Sequence, residues 1–423
     1  MNLLELTDFG LYCPPADIFI DPWRPVAKAV ITHAHADHAR RGMGHYLAHT
    51  QSKEVMKLRL GKDIQLQTLA YGEAIHAQGV RISLHPAGHI PGSAQVRLEY
   101  QGKVAVVSGD YKVEDDGLST PFEPVKCHEF VSECTFGMPI YDWEPQAAVF
   151  QQINDWWRAN AEQGLNSIIF AYSLGKAQRV LQHLQSEIGP VFVHGVIANT
   201  NEALVADGLI LPDAIRVNQD LPKSAYKGAL IIAPPAVMNS PWMSKFSPYR
   251  TASCSGWMNV RGIRKRSSLD RGFVLSDHAD WKGLIAAISA TEAEKVYLTH
   301  GSTASFGKFL QEEKGIDAVA LETLNIYEEL HIVEHVRQVG PSLVNGLKQL
   351  ESHPLVKEVR GIGLLAGVEL LASHGRECAR LAEEEGLIVR AIGDTIAFCP
   401  PLIISEAEIQ ELLARFTKAL NRL

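Results

Sequence analysis

From residue 18 to residue 301 the chain alternates short apolar runs with turns rich in glycine, histidine and aspartate. The runs at 26–31, 104–107, 166–172 and 230–233 have the length and near-continuous apolarity of buried strands. Residues 80–84 alternate apolar and polar positions, as a half-buried strand does. Residues 1–32 read as strands joined by turns. Helical spacing is expected over about 51–60, over 146–163 and from Lys176 to about 187. The strand at 26–31 is expected to end at His33, followed by a tight loop into a helix near Asp37 or His38.

That loop reads Thr32-His33-Ala34-His35-Ala36-Asp37-His38. A single histidine is an ordinary core or surface residue; the order H-x-H-x-D-H is a metal-ligand pattern. His33 and His35 are two apart and face the same way in extended backbone. Asp37 and His38 follow the turn and can reach a neighbouring position, so two adjacent ions are expected. Downstream, the strand at 104–107 runs into Ser108-Gly109-Asp110, and a carboxylate at a strand end can bridge two cations with its two oxygens. Donors limited to oxygen and nitrogen suit Zn²⁺, Mn²⁺ or Fe²⁺ without choosing among them.

The motif resembles the metal signature of the metallo-β-lactamase superfamily, which implies a four-layer αββα sandwich with its site at one edge of the two sheets. The resemblance implies that His89, in the Gly88–Gly92 loop, completes the first site in preference to His85, which still sits on the strand side. It also implies support of the ligand loop by Asp21, for which a simple strand-end cap is the alternative. His45 and His49 are left as surface or substrate-side residues. Glu129-Phe130-Val131-Ser132-Glu133-Cys134-Thr135-Phe136-Gly137 resembles an element of the β-CASP nucleases, with Cys and Phe in place of the family's Ser and Tyr. Ser276-Asp277-His278-Ala279-Asp280-Trp281 and Thr299-His300-Gly301 are similar to later elements of the same branch. Together with Asp21-Pro22-Trp23-Arg24-Pro25, His85-Pro86-Ala87-Gly88-His89 and Ser108-Gly109-Asp110-Tyr111-Lys112, these stretches resemble bacterial ligase-associated DNA exonucleases over about residues 1–315.

The resemblance implies a metal-dependent DNA 3′-exonuclease of DNA repair, acting on single-stranded DNA or DNA 3′ ends. An ATP-dependent DNA ligase and a helicase are its implied neighbours. In that reading His33, His35 and His89 hold one ion, Asp37, His38 and His300 the other, and Asp110 bridges. Two such cations, about 3.5–4 Å apart, would clamp a phosphate and a hydroxide. His278 would act as general acid and Glu133 would keep it charged. The expected division is a core at 1–137 and 271–317, interrupted by an α/β cap at 138–270. Alternatives are an RNA-processing β-CASP nuclease, a small-molecule metallo-hydrolase such as a lactonase or thioesterase, and a scaffold with a structural metal.

Within the cap, Ser173-Leu174-Gly175-Lys176 lies between a strand and a helix. It suits either a phosphate seat built from Ser173, Lys176 and free backbone N–H groups or an ordinary helix start capped by Ser173. Lys245, Arg250, Arg261, Arg264, Lys265, Arg266 and Arg271 cluster with Trp242, Phe246, Tyr249 and Trp257 interleaved. Such a stretch contacts phosphates and stacks on unpaired bases, or it is a solvated charged face.

From about Ala318 the text changes. Residues 321–327, 359–370, 386–394 and 399–405 resemble the small C-terminal domain of class III aminotransferases, implying a small α+β domain over 318–423. It ends in an amphipathic helix over 406–423. No counterpart of the cofactor lysine or of the large domain is found, so pyridoxal phosphate is not expected, and Arg390 is given no role.

Bulk numbers add limits. A chain of 423 residues accommodates two or three domains, and 46% hydrophobic with 21% charged residues is ordinary for a globular protein. The net charge of −8 excludes a generally basic nucleic-acid coat but not a local basic groove. In the tail, acids outnumber bases, which makes it a poor DNA binder. Six cysteines without a C-x-x-C pair give neither a disulfide framework nor a cysteine zinc site. With no basic n-region before an apolar core and no membrane-length run, a cytoplasmic location and no membrane partner are expected.

Overall fold

The computed structural model describes residues 3–218, 221–266, 269–321, 331–371 and 373–423, less the side chains of 263, 265 and 266. It is a mixed α/β protein with several sheets, divided into two compact units, 1–321 and 322–423. No described helix is long and apolar enough to cross a membrane.

The first sheet follows chain order through β1 (Glu5–Thr7), β2 (Gly10–Cys13), β3 (Ile18–Ile20), β4 (Lys28–Val30), β5 (His45–His49) and β6 (Leu66–Leu69). It is antiparallel as far as β3 and parallel from there. The second begins with β7 (Ala74–Ala77), β8 (Val80–Pro86), β9 (Ala94–Tyr100), β10 (Lys103–Val107) and β11 (Glu129–Cys134). Alternation in β8 and β9 sends Ile82, Leu84, Val96 and Leu98 to one face, where they pack with Ile18, Val30 and Leu47 of the first sheet in one buried cluster. The two sheets therefore face each other. Val55 and Met56 of the helix Lys53–Leu60 cover the outer face of the first sheet.

The chain then leaves for a third, all-parallel sheet: β12 (Asn166–Phe170), β13 (Val191–Val193), β14 (Ile215–Arg216), β15 (Leu230–Ala233), β16 (Tyr249–Cys254) and β17 (Arg271–Phe273). Every residue of β12 and β15 is buried, as apolar runs covered on both faces must be. The spatial order is β14-β13-β15-β12-β16-β17. β18 (Lys295–Gly301) and β19 (Asp317–Ala320) return to the second sheet, parallel to β11. The helices Trp281–Thr291 and Thr303–Lys314 cover its outer face through Leu284, Ile288, Phe306 and Leu310.

Two local expectations change. Residues 36–38 form a turn and not a helix start: the Ala39 N–H closes on the His35 carbonyl at 2.8 Å, and no helix follows. The helix expected to reach about 187 stops at Gln182, where the His183 ring turns in to stack on Phe150 at 3.9 Å.

The second unit, taken by itself, is an antiparallel sheet with helices. Its strands are β20 (Val356–Ile362), β21 (Leu365–Leu370), β22 (Arg390–Ile392) and β23 (Thr395–Phe398), in the order β20-β21-β23-β22. The helices Ile332–Lys348 and Glu406–Asn421 bury Leu343, Leu347, Ile409 and Phe416 against it. Ser405 and Glu408 cap the last helix reciprocally.

Leu84 is fully buried between the facing sheets. Leu84→Ala is expected to lower the unfolding free energy of the first unit by about 2–5 kcal/mol, measured by urea denaturation; a change within about 0.5 kcal/mol would show that the sheets do not pack as described.

Candidate metal centre

Strand ends converge on one point. β4 ends at Val30, and the Thr32 N–H is tied to Asp21 Oδ1 at 2.8 Å. Asp21 adopts φ 44°, and its other oxygen accepts from Thr32 Oγ1 and from His38 Nδ1, the latter at 2.7 Å. Asp21 thus supports the ligand loop and is more than a strand-end cap. β10 leads into Gly109, at φ 58°, where a Cβ would lie 2.6 Å from Thr32. Only glycine lets the Asp110 turn close against the histidine loop. Gly88 serves the His89 loop similarly, since a Cβ there would come within 2.2 Å of the Lys112 carbonyl oxygen.

The hydrogen bonds fix which nitrogen of each imidazole carries its proton. A carbonyl can only accept, so His35 Nε2 donates to Leu174 O (3.2 Å) and His89 Nδ1 donates to Asp277 O (2.8 Å). Thr32 Oγ1 spends its one proton on Asp21, so it accepts from His33 Nδ1 at 3.1 Å. His38 Nδ1 donates to the Asp21 carboxylate. Every outward nitrogen is therefore a donor, and the inward nitrogens of neutral rings carry lone pairs. His35 Nδ1 and His89 Nε2 stand 3.1 Å apart with no proton between them in that state. His33 Nε2 is buried without any hydrogen-bond partner. Facing lone pairs repel, and a cation between them relieves the repulsion; outward partners of this kind are how metal-binding histidines are oriented.

Asp110 joins two groups. Its Oδ2 lies 3.5 Å from His33 Nε2 and 3.7 Å from His89 Nε2, and its Oδ1 lies 3.6 Å from His38 Nε2. Donor atoms of His33, His35, His89 and Asp110 all lie within 4.8 Å of one another, as do those of His38, Asp110 and His300. His300 sits at the end of β18 with φ 57°, a conformation few non-glycine residues adopt. Asp37 stands apart: it is exposed, with its Oδ2 3.9 Å from His38 Nε2, at the rim of these groups. The donor set fits two divalent ions sharing Asp110.

Burial pushes the imidazoles of His33 and His89 well below the ordinary histidine value, and neighbouring imidazoles push the same way. Burial also lowers His35, partly opposed by the Leu174 carbonyl and Asp110. Burial lowers His38 too, but Asp110, Asp21 and Asp37 together outweigh it and hold that ring up at about 10. His278 behaves likewise. Its Nδ1 is 2.8 Å from Glu133 Oε1, and Glu133 and Asp110 overcome burial to hold it at about 9. Burial would raise Glu133, yet His278 and the Thr135 N–H keep its carboxyl below the usual range. His278 is thus a protonated donor with Nε2 3.9 Å from Asp110 Oδ2. Such a centre can lower the pKa of a bound water, steady charge growing on an oxygen and supply a proton.

These groups floor a cavity of about 600 Å³ whose wall includes Phe136, Tyr172, Ser173 and Trp257. Tyr172 and Trp257 are 57% and 41% exposed. The substrate-side expectations need correction. Ser173 lines the cavity but caps nothing: the helix cap is Gly175, whose N–H donates to Gln178 Oε1. Lys176 also lines the cavity but is only 3% exposed, and its Nζ pairs with Asp277 Oδ2 at 2.9 Å. Arg261 is exposed on the short helix Arg261–Arg266 and contributes nothing to the cavity lining. Arg250 pairs with Asp270, Phe246 is fully buried, and Lys245 sits over Trp242 and Phe246. Of that basic-aromatic stretch only Trp257 reaches the cavity, and the side chains of Lys265 and Arg266 lie outside the described residues. His49 is buried and stacked on Tyr71 at 3.6 Å, with burial lowering it to about 4, so it is a core residue. Roles the motifs did not disclose are those of the Leu174 and Asp277 carbonyls, which orient His35 and His89, and of Arg179, which holds Asp277.

Residues 287–420 match the family described as Aminotransferase class-III. Over 314 residues the chain is 28% identical to a protein of Opitutus terrae named probable DNA ligase, covering 74% of this chain and 30% of that one. Over 120 residues it is 40% identical to gamma aminobutyrate transaminase 3, chloroplastic, of Solanum lycopersicum (25% of this chain, 22% of the relative). Over 117 residues it is 37% identical to putrescine–pyruvate aminotransferase of Pseudomonas aeruginosa (25% and 26%). The chain therefore spans less than a third of the length of each of these relatives.

These matches correct the functional expectations. The expected DNA exonuclease of DNA repair, and with it the RNA-nuclease and hydrolase alternatives, is not what they support. Over its C-terminal part the chain matches class-III aminotransferases and relatives named as transaminases, not nucleases. The same match overturns the expectation that pyridoxal phosphate has no part. What the matches support is an enzyme.

His38 must lose its proton before Nε2 can take an ion, and its value of about 10 means it is protonated at neutral pH in the ion-free protein. Zn²⁺ binding is expected to release about one proton there and to tighten as pH rises toward that value. Titration calorimetry in buffers of different ionisation enthalpy measures this, and a binding heat independent of the buffer would refute it.

Proposed function

We propose that residues 1–321 form a metallo-β-lactamase-type αββα sandwich, with an α/β module inserted over 138–270, that holds two adjacent divalent ions and binds DNA at them. What carries the metal reading is the convergence of imidazole lone pairs on the two oxygens of Asp110. His33, His35 and His89 would hold one ion, His38 and His300 the other. Asp37 would join them from the rim by turning its carboxylate inward. The DNA partner is supported by likeness over 314 residues to a relative named a DNA ligase. The exposed rings of Tyr172 and Trp257 beside the ions supply stacking surfaces, and such rings bind unpaired bases whatever the sequence. Phosphate oxygens are ligands that hard and borderline cations accept.

A second reading, amino-group transfer with pyridoxal phosphate, is favoured by the family match over 287–420. Such enzymes hold the cofactor through a lysine Schiff base. Three cavities in the second unit are lined by no lysine, and the most apolar of them, formed by Ile332, Val336, Gly340 and Ile362, has Arg337 as its one charged residue. Those cavities do not fit the cofactor. On this reading the cofactor is held by a lysine outside those cavities.

Fluorescence anisotropy of a labelled single-stranded DNA tests the first reading. Binding is expected with Zn²⁺ or Mn²⁺ and should weaken about 10-fold or more in His35→Ala. Equal binding with and without ions would refute it. For the second, pyridoxal phosphate added to the protein should develop the absorption of a lysine adduct that survives dialysis; its absence would refute cofactor binding by this chain.

A further inference from the structure

A buried ionic network that the metal reading does not itself use joins the third sheet's turn to the ligand loops. Lys176 Nζ lies 2.9 Å from Asp277 Oδ2, and Arg179 Nη2 lies 3.0 Å from Asp277 Oδ1 and 2.6 Å from the Ser276 carbonyl. Asp116 adds a second carboxylate 3.9 Å from Arg179 Nη1. Lys176, Arg179 and Asp277 are 3%, 1% and 3% exposed. Ion pairs this deep are poor investments in stability, because apolar residues of like volume serve as well or better. Their geometry offers another role. The two cations grip the carboxylate of Asp277 and the carbonyl before it, so the orientation of the 276–278 backbone is set from the helix Lys176–Gln182. The next carbonyl along, that of Asp277, is the acceptor for His89 Nδ1. Two residues before the same helix, the Leu174 carbonyl is the acceptor for His35 Nε2.

We propose that Lys176 and Arg179 are positioning residues for the first ion. By clamping Asp277 they hold its carbonyl against His89, and with the Leu174 carbonyl they aim the lone pairs of His89 and His35 at one point. The second position is oriented differently. His38 takes its direction from Asp21, at the end of β3, without help from residues 172–179. The inserted segment therefore governs loading of one ion and leaves the other alone. The inference rests on the two-ion reading of the site.

The test is a titration of the metal-stripped full chain with Co²⁺, followed by visible absorption, beside thermal unfolding of each variant. The wild type is expected to take two ions. Lys176→Met should weaken one of the two sites about 10–100-fold and alter its spectrum. The charge-balanced pair Lys176→Met with Asp277→Asn should do the same while avoiding a lone buried charge. Asp21→Asn should weaken the site of His38, and it reaches the first site only through Thr32 and His33. Two unchanged sites in both Lys176 variants would overturn the proposal with the metal reading intact. Loss of the fold, or of both sites together, in both variants would overturn it too, making the network a strut. A wild type that takes no ion would sink the two-ion reading itself.

Discussion

Repulsion between inward-facing lone pairs is the constraint around which the first unit is arranged. Three imidazoles, those of His33, His35 and His89, give their outward nitrogens to Thr32, Leu174 and Asp277, which leaves their inner nitrogens unprotonated in the neutral rings and crowded beside Asp110. Burial deepens the conflict by disfavouring protonation of His33 and His89. A fold does not retain such an arrangement for its own stability, because an unmet buried acceptor costs about 1–3 kcal/mol. A cation at this point would turn the cost into binding energy.

The sheets supply the rigidity this needs. β4, β10 and β18 all end at the same edge, and β18 and β10 flank β11, whose Glu133 steadies His278. Gly109 and Gly88 permit backbone approaches that any side chain would block. Asp280 caps the helix that follows His278 and also receives the Trp143 N–H, so His278 sits on a braced loop.

The second unit stands on different evidence. Its segment matches class III aminotransferases, while the greater part of the first unit aligns with a ligase-named protein. The family match begins at residue 287, inside the first unit, so the alignment and the compact units do not share a boundary. Ile362, Leu365, Ile388 and Ile403 of the second unit are exposed.

Much of this was legible along the chain. Apolar runs located β10, β12 and β15, because a strand buried on both faces needs no partner to reveal it. The residues proposed as ligands were legible as candidates because H-x-H-x-D-H and Ser-Gly-Asp are local patterns with few other uses. Asp21 was legible as an acid at a strand end. The fate of isolated basic residues was not. Lys176 reads as a free cation beside a turn, and its burial against Asp277 depends on two segments a hundred residues apart in chain meeting at one edge. His49 reads as surface until Tyr71 is seen to stack on it. The sequence by itself determined the donor types and the strands that carry them, since both follow from local composition and spacing. The tertiary structure decided which nitrogen of each histidine faces inward and which charges are spent internally. Hydrogen-bond partners distant in sequence set both, and no local pattern encodes them.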